Sequence, residues 1–391
     1  MSFPLSRAAA LERLRSFVPQ AGSAYARLRN KERGSGGHVH VSRLSAALRR
    51  RLVSEEEVVG AVLADHDPAS AGAFVSEVFW RSYWKGWLEQ RPGLWPDYGA
   101  AVGRARDRLQ ASAALDARHA AAIAGRTGID CFDAWIGELI ATGYLHNWAR
   151  MQVASIWIFT LGLPWELGAA FFFDRLIDAD PASNTLSWRW VAGLHTQGKA
   201  YLADAQRIAA MTDGRFSPGG LARTAVIPAD SLSVPQPAAV RTVTRPDPAA
   251  ATLLLVTPED LSMETEPALR ALPVQAVAVI DGRNDWDRMA LDDGVARACA
   301  AWPEARPLGV VAPADLSATA RAAGCTQIAT AFLPVGPLAD VLARARQAAR
   351  PDGLVVTEVL RDWDSRTWPH CRKGFFALRE KIPGLLDGGR I

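Results

Sequence analysis

Cysteine is scarce in this chain of 391 residues, which contains four cysteines and no Cys-x-x-Cys pair. Structural zinc sites and iron–sulfur clusters require closely spaced, paired cysteines, so we expect no bound metal. An isolated thiol most often behaves as a small buried hydrophobic group, and we expect this of all four. They are Cys131, Cys299, Cys325 and Cys371.

Long hydrophobic runs are also missing. The most apolar segment is interrupted by Pro164 and by charged residues before it reaches the length of a membrane span. The N-terminal sequence MSFPLSRAAALERLR lacks the apolar core of a signal peptide. We therefore expect a cytoplasmic protein that does not associate with a membrane.

A strong excess of either charge is absent as well, since the net charge is only +3. Residues 1–225 contain 26 Lys and Arg against 21 Asp and Glu, whereas the remainder contains 18 against 20. A mildly basic first part is compatible with nucleic-acid binding but does not require it. Taken alone, the charge indicates an ordinary solvated surface.

Residues 143–190 are rich in aromatic side chains, with five Trp, three consecutive Phe and only seven Asp, Glu and Arg. This composition predicts a deeply buried segment, yet several of its polar residues are grouped. Ionised groups rarely enter such surroundings unless they pair with each other or with a ligand. A large, flat, partly polar ligand in an aromatic pocket would explain both features. The grouped residues are Arg150, Asp178 and Asp180, with Asn147 and Asn184 nearby.

The spacing inside this segment predicts helices. Asn147, Arg150 and Met151 follow i, i+3 and i+4 spacing, which places them on one helical face. Residues 154–163 are apolar all round, as in a helix buried on every side. Pro164 ends that helix, because the residue before a proline is pushed away from helical geometry.

A further helix then carries the three phenylalanines to Asp178. The turn DADPASN opens the next helix, with Ser183 or Asn184 as its predicted N-cap. Trp188 and Trp190 lie two positions apart, so on a helix they point to roughly opposite sides. One of them can then face a pocket while the other faces an outer cavity or a neighbouring layer.

Two earlier motifs allow two readings each. Residues 42–45, Ser-Arg-Leu-Ser, are typical of a helix start. Its backbone amides and Arg43 would suit a pyrophosphate. From these residues alone, an ordinary N-cap is the better interpretation. Glu77, Trp80 and Arg81 share one helical face. A surface ion pair beside a core tryptophan explains that face equally well.

The periodicity changes after residue 225. Residues 226–250 are rich in Pro, Ala and Ser, which is typical of a linker. Beyond them, short apolar runs suited to buried strands are mostly separated by helical stretches, which predicts a small parallel α/β, Rossmann-like domain of about five strands without a GxGxxG loop. The runs are TLLLVT, VQAVAVID, LGVVAP, TQIATAF and GLVVTEVL. We therefore predict two domains, 1–225 and 251–391, the second ending in a helical segment.

Two long motifs carry a family resemblance. TGYLHNWARM, residues 142–151, and DADPASNTLSWRW, residues 178–190, resemble the flavin-binding domain of the DNA photolyase and cryptochrome family. The resemblance implies an all-α, photolyase-type FAD-binding domain over residues 1–225. It also implies that Asp178 and Asp180 contact the flavin ring edge and ribityl region, and that Arg150 pairs with Asp178.

The same resemblance implies further site residues. It favours phosphate binding over the simple N-cap for residues 42–45, and it places Asn184 near flavin N5, where it would help to hold the reduced state. The other residues implied to hold FAD are Tyr25, Ser42, Arg43, Leu44, Ser45, Phe74, Arg81, Asn147 and Phe172. Those implied to hold a cyclobutane pyrimidine dimer are Glu77, Trp80, Asn147, Met151 and Trp190.

Photolyases also carry a relay of tryptophans that passes single electrons to the flavin. Trp188 and Trp165 match its inner members, whereas Ser112 stands near the usual position of the outermost one. Trp148 replaces a polar or basic residue, which predicts an altered DNA-facing cavity. The candidates to replace the outermost tryptophan are Trp157, Trp148 and Tyr98.

The α/β part loosely resembles the photolyase antenna domain, so the two domains would stand in reversed order, as in a circular permutation. The second chromophore is unknown. The implied function is light-driven repair of UV-damaged DNA by electron transfer from excited, reduced FAD. The alternatives are a cryptochrome-like blue-light sensor that signals to a protein partner, and a redox or structural FAD protein that does not use light.

Overall fold

Helices fill the first part of the chain, and a five-stranded parallel sheet with helices follows from Thr252 onward. The computed structural model describes residues 3–196, 198–229, 234–349 and 353–387. The predicted combination of a helical part and a parallel five-stranded sheet is confirmed.

The described helices of the first part are α1 (Arg7–Phe17), α2 (Ser23–Leu28), α3 (Ser45–Arg49), α4 (Glu55–Leu63), α5 (Pro68–Glu89), α6 (Leu94–Gln110), α7 (Ala113–Ile123), α8 (Asp130–Thr142), α9 (Asn147–Ser155), α10 (Trp165–Arg175), α11 (Pro181–Val191) and α12 (Ala205–Met211). Those of the second part are α13 (Pro267–Arg270), α14 (Asp285–Ala301), α15 (Leu316–Ala322), α16 (Pro337–Ala349), α17 (Asp362–Thr367), α18 (Phe375–Arg379) and α19 (Ile382–Asp387).

The start of α11 corrects one prediction. Its N-cap is Asp180, whose carboxylate accepts a hydrogen bond from the Ser183 backbone N–H at 2.8 Å, with Pro181 in the first turn. The predicted caps, Ser183 and Asn184, both lie inside the helix. Aspartate followed by proline is a favoured helix start, since proline has no N–H to leave unsatisfied at this position.

The apolar run before Pro164 is helical, as predicted, but it changes type. α9 continues into one turn of π-helix, Ile156–Thr160, and the chain leaves helical geometry before the proline. α10 then ends at Arg175, so Asp178 lies in the turn between α10 and α11 and not on a helix. This turn brings Asp178 and Asp180 close to α9 and α5.

The sheet contains β1 (Thr252–Val256), β2 (Val274–Val279), β3 (Arg306–Val310), β4 (Gln327–Ala331) and β5 (Val355–Val359), in the order β3-β2-β1-β4-β5. All neighbouring strands pair in parallel, with Leu254 opposite Val277 on one side and Ala329 on the other. Strands β1 and β4 are fully buried, because helices cover both faces of a parallel sheet.

Helix α5 lies at the contact between the two parts. It packs against α2, α4 and α11 of the helical part and against α17 and α18 of the second part. A side chain at Gly86 would lie 2.6 Å from the Trp368 ring, so glycine permits this close approach. The Trp363 indole N–H donates to Ser82 Oγ at 2.8 Å. The two parts therefore share one hydrophobic core.

The described residues of the predicted linker, 226–229 and 234–250, contain no helix or strand, but they are held to both parts. The Ala238 N–H donates to the Gln90 carbonyl at 2.8 Å, and Arg241 forms an ion pair with Glu358 at 2.5 Å. Among the helices that the structure describes, none has the length and apolar character needed to cross a bilayer.

Candidate functional site

Arg150 and Asp178 form a two-pronged ion pair between α9 and the turn before α11. The two guanidinium NH groups lie 3.0 Å from the two carboxylate oxygens, and Arg150 Nε donates to the Leu145 carbonyl at 2.7 Å. Burial raises the pKa of Asp178, but Arg150 outweighs burial and holds the pKa below its ordinary value. The pairing predicted for these two residues is present.

Asp180 is the most strongly charge-stabilised carboxylate of the site. Its side chain is 1% exposed, and its Oδ2 lies 2.9 Å from Lys85 Nζ and 3.4 Å from an Arg81 NH group. Burial raises the pKa of Asp180, yet Lys85, Arg81 and Arg49 bring it far below its ordinary value. Asp180 is therefore ionised at any working pH, and it caps α11 at the same time.

Asn184 and Trp188 follow on α11, one turn apart. Asn184 Nδ2 donates to the Ala169 carbonyl of α10 at 2.7 Å, which fixes the orientation of its amide. The Trp188 ring stands edge-on against Phe172, with ring centroids 5.1 Å apart. Both side chains are buried, and both contact α10. Asn184 is the α11 residue that the resemblance places near flavin N5.

Residues 42–45 contain a buried donor without a partner. Arg43 has a backbone φ of 55°, a left-handed conformation that is uncommon outside glycine. Arg43 Nε is buried and has no hydrogen-bond partner among the described residues. The Ser45 hydroxyl lies beside Asp178 and helps to lower the pKa of that carboxyl. Buried donors of this kind are normally satisfied, which fits a ligand oxygen at this segment. The N-cap of α3 is Leu44, which has no capping side chain, so the ordinary N-cap reading is wrong here.

Tyr25 and Phe74 lie together in an aromatic cluster with Phe17. The Tyr25 and Phe74 rings are 5.1 Å apart at 80°, and both side chains are buried. Burial raises the pKa of Tyr25 well above its ordinary value, so its phenol stays protonated. The contact of both residues with FAD remains a prediction.

The residues predicted to hold a pyrimidine dimer lie on α5, α9 and α11. Glu77 pairs with Arg29 at 3.3 Å, and burial raises the Glu77 pKa despite that cation. One face of the Trp80 indole is covered by Phe375 of α18, with centroids 3.8 Å apart and rings 11° from parallel. Trp190, on α11, packs against Tyr201 at 5.6 Å. The sequence did not predict Phe375 as a neighbour of Trp80.

Asn147 and Met151 occupy the first two turns of α9, on the side that also carries Arg150. Asn147 is exposed and Met151 is half-buried, so both side chains are accessible to a ligand. His146 precedes them as the N-cap of α9, accepting from the Trp148 N–H at 3.3 Å. Trp148 is buried against Trp135, 6.1 Å away, and its effect on a DNA-facing cavity stays a prediction.

The relay candidates fall into two aromatic groups. Trp165 stacks on Tyr98 at 5.7 Å, and Tyr98 lies 5.8 Å from the half-buried Trp95. Trp188 instead meets Trp157 edge-on at 6.1 Å. Ser112, at the predicted outer position, is the N-cap of α7 and accepts from the Leu115 N–H.

Sequence reasoning missed three consecutive buried arginines, Arg49–Arg51, that bind carboxylates of the second part. The sequence did contain a signal for these buried ion pairs, because three consecutive arginines stand beside apolar residues. Charged side chains in apolar surroundings are rarely buried unless they are paired. The pairs are Arg49 with Glu259 at 2.6 Å, Arg50 with Asp287 at 2.7 Å, and Arg51 with Asp364 at 3.0 Å and Asp260 at 3.4 Å.

One set of metal-ligating side chains occurs in the described residues, with ligand atoms within 4.8 Å of one another: Glu32, His38 and Glu138. His38 Nε2 lies 2.6 Å from Glu138 Oε1. Glu32 accepts from the Trp135 indole at 2.9 Å and pairs with Arg215. Hydrogen bonds and an ion pair account for the cluster, and we assign it no metal.

The aromatic helical bundle, the Arg150–Asp178 pair and the unpartnered donor at Arg43 suit a large, flat, partly polar ligand. Residues 74–215 match the family profile described as the FAD binding domain of DNA photolyase. This match and the curated relatives support the photolyase/cryptochrome family for this part of the chain, and the matched profile is that of an FAD-binding domain.

Curated relatives agree with that assignment. The deoxyribodipyrimidine photo-lyase of Escherichia coli is 29% identical over 204 residues, which cover 51% of this chain and 42% of that protein. The deoxyribodipyrimidine photo-lyase of Streptomyces griseus is 39% identical over 156 residues, 40% of this chain and 32% of that protein. Cryptochrome-1 of Arabidopsis thaliana is 45% identical over 69 residues, 18% of this chain and 10% of that protein. The chain spans less than half the length of each.

Proposed function

We propose that the chain is a light-driven FAD flavoprotein, most concretely a cyclobutane pyrimidine dimer photolyase. The observation that carries the proposal is the match of residues 74–215 to the photolyase FAD-binding domain. The partly buried Arg150–Asp178 pair and the photo-lyase names of the relatives support it.

Arg43 and Ser45 would hold the phosphates, because the unpartnered Arg43 Nε and the Ser45 hydroxyl suit phosphate oxygens. Arg150, Asp178 and Asp180 would bind the polar edge of the ring system. Asn184 would be held by Ala169 in position to donate or accept a hydrogen bond. When bound, reduced FAD supplies one electron under blue light and takes it back after the dimer has split.

The other residues would position the damaged DNA. A dimer must leave the base stack to reach the site, and a damaged step costs least to unstack. The half-buried Trp80 ring and the Trp190 ring would enclose the dimer by stacking, as aromatic side chains do with single bases. Glu77 and Asn147 would hydrogen-bond to its base edges, and Met151 would pack beneath it.

The test is repair of an oligonucleotide with a single thymine dimer by the purified, FAD-loaded, reduced chain under blue light. We expect repair by the wild type and a clear loss of repair in Glu77→Gln, which keeps the shape of the side chain but replaces its carboxyl group with an amide. The matched control is Glu56→Gln, since Glu56 is also a half-exposed carboxylate paired with an arginine, Arg366 at 3.5 Å. A wild type that binds FAD but repairs nothing would refute photolyase activity.

A blue-light sensor is the second candidate, and the contact of Phe375 with Trp80 favours it. This contact links a predicted dimer-binding residue to the second part of the chain, so a change at the flavin site could alter a protein-binding surface there. Light-dependent binding of a protein partner, combined with absence of dimer repair, would select this function.

A further inference from the structure

Four buried charged side chains form a closed ring at the contact of the two parts of the chain. Lys85 Nζ lies 2.9 Å from Asp180 and 3.2 Å from Glu259. Arg49 closes the ring, 2.6 Å from Glu259 and 3.9 Å from Asp180. Each side chain is at most 8% exposed, so solvent screens these charges little.

The second part of the chain supplies one member of this ring, Glu259. It lies just after β1, in a tight turn in which Thr257 and Asp260 form an isolated bridge. Burial raises the pKa of Glu259, but Arg49 and Lys85 outweigh burial and hold the pKa below its ordinary value. Glu259 is therefore ionised, and the ring contains two cations and two carboxylates.

Without Glu259, the ring would carry an excess positive charge. Arg49 and Lys85 would then face Asp180 alone. In a buried, weakly screened site an uncompensated charge acts strongly on neighbouring groups. Since Asp180 is one of the residues predicted to contact the flavin, that charge would act on the bound cofactor.

We propose that Glu259 is a positioning residue of the flavin site, contributed by the second part of the chain, which sets the net charge around Asp180 and so the ease with which bound FAD is reduced. This inference rests on the proposed flavin site. It gives the second part a role in the site that does not depend on an antenna chromophore.

The experiment is a spectroelectrochemical titration of the full-length, FAD-loaded chain that measures the midpoint potential of the flavin. In Glu259→Gln the ring gains positive charge, which favours the more negatively charged reduced form, so we expect a more positive potential. The matched control is Asp364→Asn, because Asp364 pairs with the neighbouring Arg51 across the same contact at 3.0 Å but lies outside the ring. We expect the control to destabilise the chain while leaving the potential unchanged.

A second variant separates charge from structural damage. Replacing Lys85 with Met in the Glu259→Gln chain removes one cation and restores the balance, so the potential should return towards the wild-type value. Equal potentials in wild type and Glu259→Gln, or equal shifts in Glu259→Gln and Asp364→Asn, would overturn the inference. A wild-type chain that binds no FAD would instead overturn the flavin site itself, which distinguishes the two failures.

Discussion

Glu89 is a buried carboxylate at the end of α5, 3% exposed, that accepts a hydrogen bond from the Val335 N–H at 2.5 Å. Burial raises its pKa to about 7, although Val335, Arg241 and Lys85 act in the opposite direction. Because the folded-state pKa lies above the unfolded value, the stability associated with Glu89 is fully present below about pH 4.5 and is lost as the pH rises through 7.

We predict that Glu89→Gln flattens this part of the pH dependence. Glutamine resembles the protonated acid and keeps an acceptor for Val335. The variant should match the wild type near pH 4.5 and exceed its unfolding free energy above pH 8, by about 3 kcal/mol at most. Urea unfolding at both pH values measures the difference. If the wild type were at least as stable as the variant at pH 8, burial would not raise the pKa of Glu89.

At the scale of single residues, the sequence allowed the Arg150–Asp178 pair to be predicted. Each of these residues lies in one of the two motifs that resemble the flavin-binding domain of the photolyase and cryptochrome family. It did not reveal the stacking of Phe375 on Trp80, which depends on the docking of α18 against α5. The N-cap of α11 was misplaced because Asp180, Ser183 and Asn184 are all good capping residues, and proline placement decides between them.

Trp165 and Trp188 belong to two separate aromatic groups. Trp157 is fully buried, and its other ring neighbours are His119 and Phe171, which are poor electron donors. The Trp165–Tyr98 stack continues to Trp95, which is only partly buried and so can be reached by a reductant in solution. We therefore propose that the Trp165–Tyr98–Trp95 group takes the place of the missing outer tryptophan.

We predict that Trp165→Phe slows photoreduction of bound FAD by a soluble thiol about tenfold, equivalent to about 1.4 kcal/mol of barrier. Trp157→Phe, which also removes a buried indole, is the control and should retain most of the rate. Flavin absorbance under steady blue light measures both variants. If photoreduction were slower in Trp157→Phe than in Trp165→Phe, the relay would instead run through Trp157.

At the scale of elements, the strands were predictable because buried parallel strands are continuous apolar runs. The end of α10 was not, since nothing between Arg175 and Asp178 breaks a helix by composition. The π-helical turn, Ile156–Thr160, was also missed, because its apolar sequence is equally compatible with an α-helix.

For the whole molecule, the arginine run Arg49–Arg51 holds the helical part to the sheet through buried ion pairs. Arg50 illustrates the strength of this contact: it is 2% exposed, pairs with Asp287, and donates to the Ile177 carbonyl at 2.8 Å. Removing one partner of a buried pair leaves an uncompensated charge, which usually costs about 3–5 kcal/mol.

We therefore predict that Arg50→Met lowers the unfolding free energy by about 3–5 kcal/mol. Arg288→Met is the control, because Arg288 pairs with Asp285 at the surface and such pairs contribute less than about 1 kcal/mol. Chemical denaturation followed by tryptophan fluorescence compares the two variants. Equal, small losses would mean that the buried pair does not hold the two parts together.

The most direct test of the central claim is the absorbance spectrum of the purified chain after incubation with FAD and removal of free cofactor. We predict a bound-flavin spectrum that corresponds to one FAD per chain. We also predict that this spectrum is lost in Arg150→Met, which breaks the pair with Asp178. A wild-type protein that remains colourless after reconstitution would contradict the account.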